Sequence, residues 1–123
     1  MRDQRKFTLR NQSDFNKVYK RGSSKGSQYT VVLYKKNQFE YNRVAFVASK
    51  KVGNSVERNR ARRLMRESFR VLKEELRLGY DVIFVARRNI LNSGQSEVEA
   101  SMKRALINCG LIEKKSGINK RNG

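Results

Sequence analysis

Six side chains in one short run could do chemistry on a phosphate: Arg58, Asn59, Arg60, Arg62, Arg63 and Arg66. Arginine presents a planar fork of N–H donors that matches a phosphate bidentately, and it keeps its charge at any pH a protein meets. Just ahead lie Lys50, Lys51, Gly53 and Asn54. They supply two more cations, a glycine that lets an anion approach the backbone, and the free N–H groups of a helix start. The spacing suits anion binding but is not that of a Walker loop. Hydrolysis has no comparable support. The 11 Asp and Glu are scattered from Asp3 to Glu113, whereas two-metal phosphoryl chemistry gathers them. The absence of histidine removes a His triad and a Cys/His zinc site, and the single Cys109 removes an internal disulfide framework.

The chain around this run is small and basic. It has 123 residues, and 29 Lys and Arg against 11 Asp and Glu leave a charge of +18. That length buries one core and argues for one domain. Hydrophobic residues at 37% and charged residues at 33% make the core a modest one. The charge repels itself and destabilises the compact state, while solubility alone asks for a magnitude of only about 2–8. A polyanion makes it useful, because each phosphate neutralised releases counterions. An acidic membrane surface is the alternative, and it favours an amphipathic helix with a bulky apolar face or a polybasic tail. No apolar run approaches the roughly 20 residues of a membrane span, and no apolar signal segment follows Met1 to Lys6. A cytoplasmic, single-domain nucleic-acid-binding protein is expected.

The elements that must position these residues can be read in order. Residues 1–10 are polar and basic and read as a flexible arm. A helix is expected from Asn11 or Gln12 to about Arg21, with Asp14 in its first turn and Phe15, Val18 and Tyr19 on one face. Gly22 to Ser27 reads as a loop. Tyr29 to Tyr34 and Arg43 to Ser49 read as strands, joined by a polar hairpin loop. A long helix follows, capped by Asn54 with Glu57 or by Ser55 alone, running to about Leu78 and stopped by Gly79. Tyr80 to Ala86 is nearly all apolar, as in a strand covered on both faces. Ser96-Glu97-Val98-Glu99 fits a capping box for a last helix ending near Cys109 and Gly110. Residues 113–123 read as a disordered basic tail beyond a domain of residues 1–112. The order is α, β, β, α, β, α, an α+β domain without repeats.

Advancing about 100° per residue along the long helix gathers Ala61, Leu64, Met65, Ser68, Phe69, Leu72 and Leu76 on the side that packs against the sheet. Asn59, Arg60, Arg62, Arg63, Arg66 and Arg70 spread over the other. Like charges at i, i+4 destabilise a helix by a few tenths of a kcal/mol each, and only Glu57 and Glu67 are near enough to relieve them. A solvated face is the plain alternative. Mixtures of Lys and Glu would build one as readily, so the choice of Arg favours phosphate contact.

The run from Lys50 to Glu67 closely resembles the protein subunit of bacterial ribonuclease P. The match is a Lys-Lys-apolar-Gly-Asn turn, then Arg58-Asn59-Arg60, then the pair Arg62-Arg63, then Leu64-Met65-Arg66. Weaker resemblance extends from Asp14-Phe15-Asn16-Lys17-Val18-Tyr19 to Val85-Ala86-Arg87. The resemblance implies a protein that assists a catalytic RNA in cutting the 5′ leader from precursor transfer RNA, the RNA and its Mg²⁺ carrying the hydrolysis. It also implies a mostly antiparallel four-stranded sheet in α-β-β-β-α-β-α order with a left-handed crossover around the Arg-rich helix, against the usual rule for parallel connections. The fourth strand is then expected to be short and near the turn before the long helix.

By matching position, the resemblance puts Lys50, Lys51, Asn54, Arg58, Asn59, Arg60 and Arg63 against the RNA subunit. It puts Phe15, Tyr19, Tyr34, Arg62 and Arg66 around a cleft for the single-stranded leader. Many relatives carry Phe at the position of Tyr19 and Lys at that of Arg62, changes that keep a ring and a cation. Stacking on such rings contributes about 1–3 kcal/mol per base and tolerates any sequence. On spacing alone, Phe15 with Val18 reads as core. Tyr29, Tyr41, Tyr80 and Phe84 read as structural, and Cys109 as a small buried residue. The implied partners are the catalytic RNA and precursor transfer RNA, with a monomeric protein, no catalytic residue of its own and no protein metal site. A small ribosomal protein fits composition and size equally well. A duplex-DNA regulator would want a helix-turn-helix or a dimer seam, and neither is visible.

Overall fold

Residues 7–114 are described by the computed structural model. Their order is α1 (Gln12–Arg21), β1 (Ser23–Gly26), β2 (Thr30–Lys36), β3 (Arg43–Val47), α2 (Ser55–Leu72), β4 (Tyr80–Ala86) and α3 (Gln95–Asn108). Short helical turns occupy Lys73–Glu75 and Ile90–Asn92. The four strands form one sheet in the order β1-β2-β4-β3. β1 and β4 run antiparallel to β2, whereas β3 runs parallel to β4, so the sheet is mixed.

β4 explains this topology. Its seven residues carry apolar side chains on both faces, and five of them are buried, so the strand belongs at the centre of the sheet. It takes β2 on one side and β3 on the other, and the expected β2–β3 hairpin does not form. The polar segment between β2 and β3 crosses the end of the sheet instead. There the Asn42 side-chain oxygen accepts from the Tyr80 N–H at 2.9 Å and its side-chain NH₂ donates to the Arg77 carbonyl at 2.9 Å.

The fourth strand is β1, within the Gly22–Ser27 stretch that composition marks as a loop. All four of its residues are exposed, so it gains no apolar burial. It exists because β2 offers an open edge of backbone donors and acceptors, and hydropathy cannot signal that kind of pairing.

The sheet separates two apolar layers. Val32, Val44, Val82, Phe84 and Ala86 pack with Ala61, Met65 and Leu72 of α2 and with Val98, Met102, Ala105 and Leu106 of α3. On the other face Ala45 and Ile83, flanked by Leu33, Val47 and Val85, meet Val18 and Phe15 of α1 and Leu9. Alternation along each strand assigns its residues to these faces.

Leu9 corrects the expected arm. It is 2% exposed, its N–H donates to the Val44 carbonyl at 3.0 Å, and Thr8 bridges Val44 in parallel sense. One leucine among polar residues carries no periodicity, which is why the segment reads as an arm. Residues 1–6 of that arm, and residues 115–123 of the expected tail, lie outside the described residues. α2 stops at Leu72 rather than near Leu78, because the chain turns through Lys73–Glu75 to place Leu76 opposite Ile112. Gly79, at φ +95°, serves the turn into β4 rather than the helix end. α3 starts two residues earlier than the Ser96 reading: Glu97 accepts from the Gly94 N–H at 2.8 Å, leaving Gly94 as the cap.

Candidate nucleic-acid interface

The amino end of α2 closes on itself. The Asn54 side chain accepts from the Glu57 N–H at 2.9 Å and the Glu57 carboxylate accepts from the Asn54 N–H at 2.9 Å, a reciprocal capping box. Gly53, at φ +151°, leaves the space into which the Glu57 carboxylate folds; a Cβ there would meet it. Arg58 donates to the Gly53 carbonyl at 2.9 Å. The anion-binding corner expected at this helix start is therefore occupied by the chain's own carboxylate, and Asn54 spends its side-chain oxygen on the cap. Lys50 and Lys51 stay exposed beside it.

Along α2, burial follows the helical period. Ala61, Met65, Ser68 and Leu72 are buried, while Asn59, Arg60, Arg63, Arg66 and Arg70 are exposed and Arg58 and Arg62 half-buried. Arg62 donates to Asn59, and Arg70 pairs with Glu67. Among the described residues no carboxylate pairs with Arg60, Arg63 or Arg66, so the helix offers a row of uncompensated guanidiniums.

A second surface lies on the α1 face of the sheet. Asn11 caps α1 by accepting from the Ser13 N–H at 2.8 Å, and the helix buries Val18. Phe15 and Tyr19, one turn apart, lie nearly parallel with ring centroids 6.4 Å apart and planes inclined by 18°. Phe15 is partly buried against the Leu33, Val47 and Val85 side of the sheet, whereas Tyr19 is 49% exposed. Burial of its inner part pushes the Tyr19 phenol up, so the ring stays neutral.

The other three residues expected at this cleft are elsewhere. Tyr34 shares strand parity with Val32, whose side chain is fully buried in the α2–α3 layer, so Tyr34 packs on the opposite face from Phe15 and Tyr19. The face α1 sees belongs to Leu33. Arg66 sets its guanidinium over the Phe46 ring, 5.6 Å from its centroid, also on the α2 side. Arg62 sits on the same helix.

Comparison with known proteins bears on what these surfaces serve. The profile of the family described as Ribonuclease P matches residues 4–110. The chain belongs to the ribonuclease P protein family. It is 40% identical over 104 residues to the ribonuclease P protein component of Alkaliphilus oremlandii, covering 85% of this chain and 91% of that one. Its identity to the counterpart from Thermoanaerobacter sp. strain X514 is 44% over 94 residues, covering 76% and 81%. The ribonuclease P protein of Staphylococcus aureus superposes with a TM-score of 0.78 at 29% identity, over 87% of this chain and 98% of that one. That of Thermotoga maritima gives 0.75 at 30%, over 82% and 96%. Ribonuclease P proteins work with an RNA subunit in the holoenzyme that processes transfer RNA, and the chain is such a subunit. The ribosomal alternative finds no support.

Asp14 and Asp81 both engage Arg43, at 3.1 and 2.7 Å, and among the described residues no three Asp, Glu or Cys gather where they could hold a metal ion. No helix of the described residues is long and apolar enough to cross a membrane. Sequence reasoning missed one group, the rings that line a groove together with Arg66: Phe46, Phe69, Phe7 and Tyr41. The usable signal was the alternation of Val44 and Phe46 on β3, which puts Phe46 beside α2.

Proposed function

We propose that this ribonuclease P subunit holds its RNA partners on two surfaces and leaves hydrolysis to the RNA. The exposed face of α2, with Arg58, Asn59, Arg60, Arg62 and Arg63 and with Lys50 and Lys51 beside it, takes phosphates of the RNA subunit. Asn54 contributes by capping and stabilising this helix, its side-chain oxygen being held by the Glu57 N–H. The Phe15–Tyr19 pair takes unpaired bases of the 5′ leader of precursor transfer RNA. The observation that carries the reading is the parallel pair of rings at 6.4 Å, one exposed and one backed by the sheet. Such a platform accepts any base by its π face, as leaders of varied sequence require.

In this reading the Mg²⁺ of the reaction is carried by the RNA. The protein acts in the cytoplasm, as a monomer until it meets its RNA. The α2 cations serve by neutralising phosphates that would otherwise repel the substrate from the catalytic RNA.

The test is cleavage of a labelled precursor transfer RNA at low Mg²⁺ with protein alone, RNA subunit alone and both. Activity in the mixture alone is expected. Cutting by the protein alone would overturn the division of labour. Equal loss of precursor and mature transfer RNA binding in Tyr19→Ala would overturn the leader assignment.

A further inference from the structure

α1 rests on the sheet along a single buried residue. Val18 packs with Leu9, Ala45 and Ile83, and of the helix's own residues it alone is buried. At the carboxyl end the backbone sits directly on β2: a Cβ on Gly22 would fall 2.6 Å from the Tyr34 carbonyl oxygen. Ahead of the helix Leu9 ties the chain to β3. Arg10 and Asn11 intervene, so that tie fixes where α1 begins and not how it is rolled.

At about 100° per residue, Asp14 lies about 40° to one side of Val18, and Phe15 and Tyr19 lie about 60° and about 100° to the other. The sheet beneath has the same arrangement. Register sets Arg43 beside Asp81, Ala45 beside Ile83 and Val47 beside Val85, and alternation puts all three pairs on the face that α1 covers. The charged pair is thus on one side of the Val18 seat. The valine pair, on the side where Phe15 packs, is on the other. Asp14 meets Arg43 at 3.1 Å. Arg43 is itself fixed, because the Asp81 carboxylate accepts from it twice, at 2.8 and 2.7 Å.

We propose that Asp14 is a positioning residue for leader recognition: held down by Arg43, it sets the roll of α1 about Val18 and so the height of the Phe15 and Tyr19 rings above the sheet. The inference rests on the reading of that ring pair as the leader platform. A partly exposed ion pair contributes little to stability. Placed between a fixed cation and a helix seated on one residue, it determines an angle. Released, the Asp14 flank rises and the opposite flank sinks, and burial of apolar ring surface drives Tyr19 the same way. A ring now 49% exposed is then withdrawn from the base it would stack on.

The experiment is equilibrium binding of precursor and mature transfer RNA by the holoenzyme reconstituted from the full chain and ribonuclease P RNA, at fixed salt and Mg²⁺ and below the melting transition of every variant. Asp14→Ala should lower the preference for precursor about fivefold, a part of the stacking of one base. Asp14→Asn keeps an acceptor for the Arg43 N–H and should stay close to the parent. Asp14→Ala combined with Tyr19→Ala should lose less than the product of the single losses, because the placement of an absent ring no longer matters. An unchanged preference in Asp14→Ala would overturn the inference. So would equal changes in Asp14→Ala and Asp14→Asn, which would point to charge, or losses that multiply, which would make Asp14 independent of the ring. In NMR spectra of the free chain, the Tyr19 ring should gain NOEs to valine methyls of the sheet in Asp14→Ala and not in Asp14→Asn; their absence in Asp14→Ala would also overturn it. If Tyr19→Ala leaves the preference intact, the leader reading falls, and these NOEs alone decide whether Asp14 sets the roll of the helix.

Discussion

The Arg43 guanidinium on β3 donates through Nη1 to Asp14 on α1 at 3.1 Å, one residue before the ring of Phe15. The same guanidinium reaches Asp81 on β4 through Nε at 2.8 Å and Nη2 at 2.7 Å. Asn37 donates to that carboxylate at 3.0 Å, and Phe39 lies 4.8 Å from the Arg43 charge. One cation thus ties the first turn of the platform helix to two strands and a loop. Its pKa is pushed further up, first by the hydrogen bond to Asp81.

Arg43→Ala should therefore destabilise the fold by about 3 kcal/mol, because it leaves the buried Asp81 carboxylate with a lone amide donor. Asp14→Ala should cost about 1 kcal/mol, since its carboxylate is more exposed and Arg43 keeps Asp81. Urea unfolding measures both. Equal costs would mean that Asp14 carries more of the network than its position suggests.

Tyr19→Ala should weaken precursor transfer RNA binding by about 1–3 kcal/mol and leave mature transfer RNA binding unchanged, with Tyr19→Phe near the parent. Tyr34→Ala should instead lower the melting temperature without touching that preference, because its ring belongs to the α2–α3 layer. A leader-specific loss in Tyr34→Ala would contradict the strand parity.

Phosphate contacts by α2 have a signature in salt. Arg60→Ala and Arg63→Ala should each reduce the slope of log K against log salt for the RNA subunit by about 0.7–0.9, one released counterion apiece. A slope that stays put would return these guanidiniums to the solvated surface.

Glu57→Ala should cost about 1 kcal/mol of stability through loss of the capping box. It should at the same time leave RNA affinity equal or higher, because a carboxylate departs from beside Lys50 and Lys51. Loss of affinity in a variant that still melts cooperatively would show that the cap orients contacts the folded helix alone does not.

Burial pushes the half-buried Cys109 thiol up, against smaller opposing hydrogen bonds. A raised thiol pKa favours the neutral form in the folded state, so its contribution to stability is present below the ordinary thiol value and is lost as pH rises beyond it. Alkylation by iodoacetamide should accordingly be slow near pH 7 compared with the unfolded chain, and should accelerate only in more alkaline solution. Rapid modification at pH 7 would mean the thiol is ionised there.

The helices were legible because their signals are local. Asn11 with Asp14, Asn54 with Glu57, and the row of small or apolar residues Ala61-Met65-Ser68-Leu72 each speak within a few turns. β1 and the place of β4 were not legible, since a strand's partner is chosen by edges far away in the chain. Tyr34 shows the same division at the site. Alternation separates Leu33 from Tyr34 but does not say which of them meets α1, and only the packing of Val32 on α2 and α3 decides it. The Arg-rich face was plain from residue type, yet the filling of its expected anion corner by Glu57 depended on the backbone turn at Gly53.

The strand order has a consequence for synthesis. β2 and β3 touch only through β4, so until Ala86 has been made there is no continuous sheet, and α2 emerges before Val82, Phe84 and the α3 residues that complete the layer burying Met65 and Leu72. The nascent chain passes through a stage in which its most cationic helix is complete and its core is not. Pairings of such sequence separation form slowly, and a polyanion close at hand during that interval would shield the row of arginines while the last strand arrives.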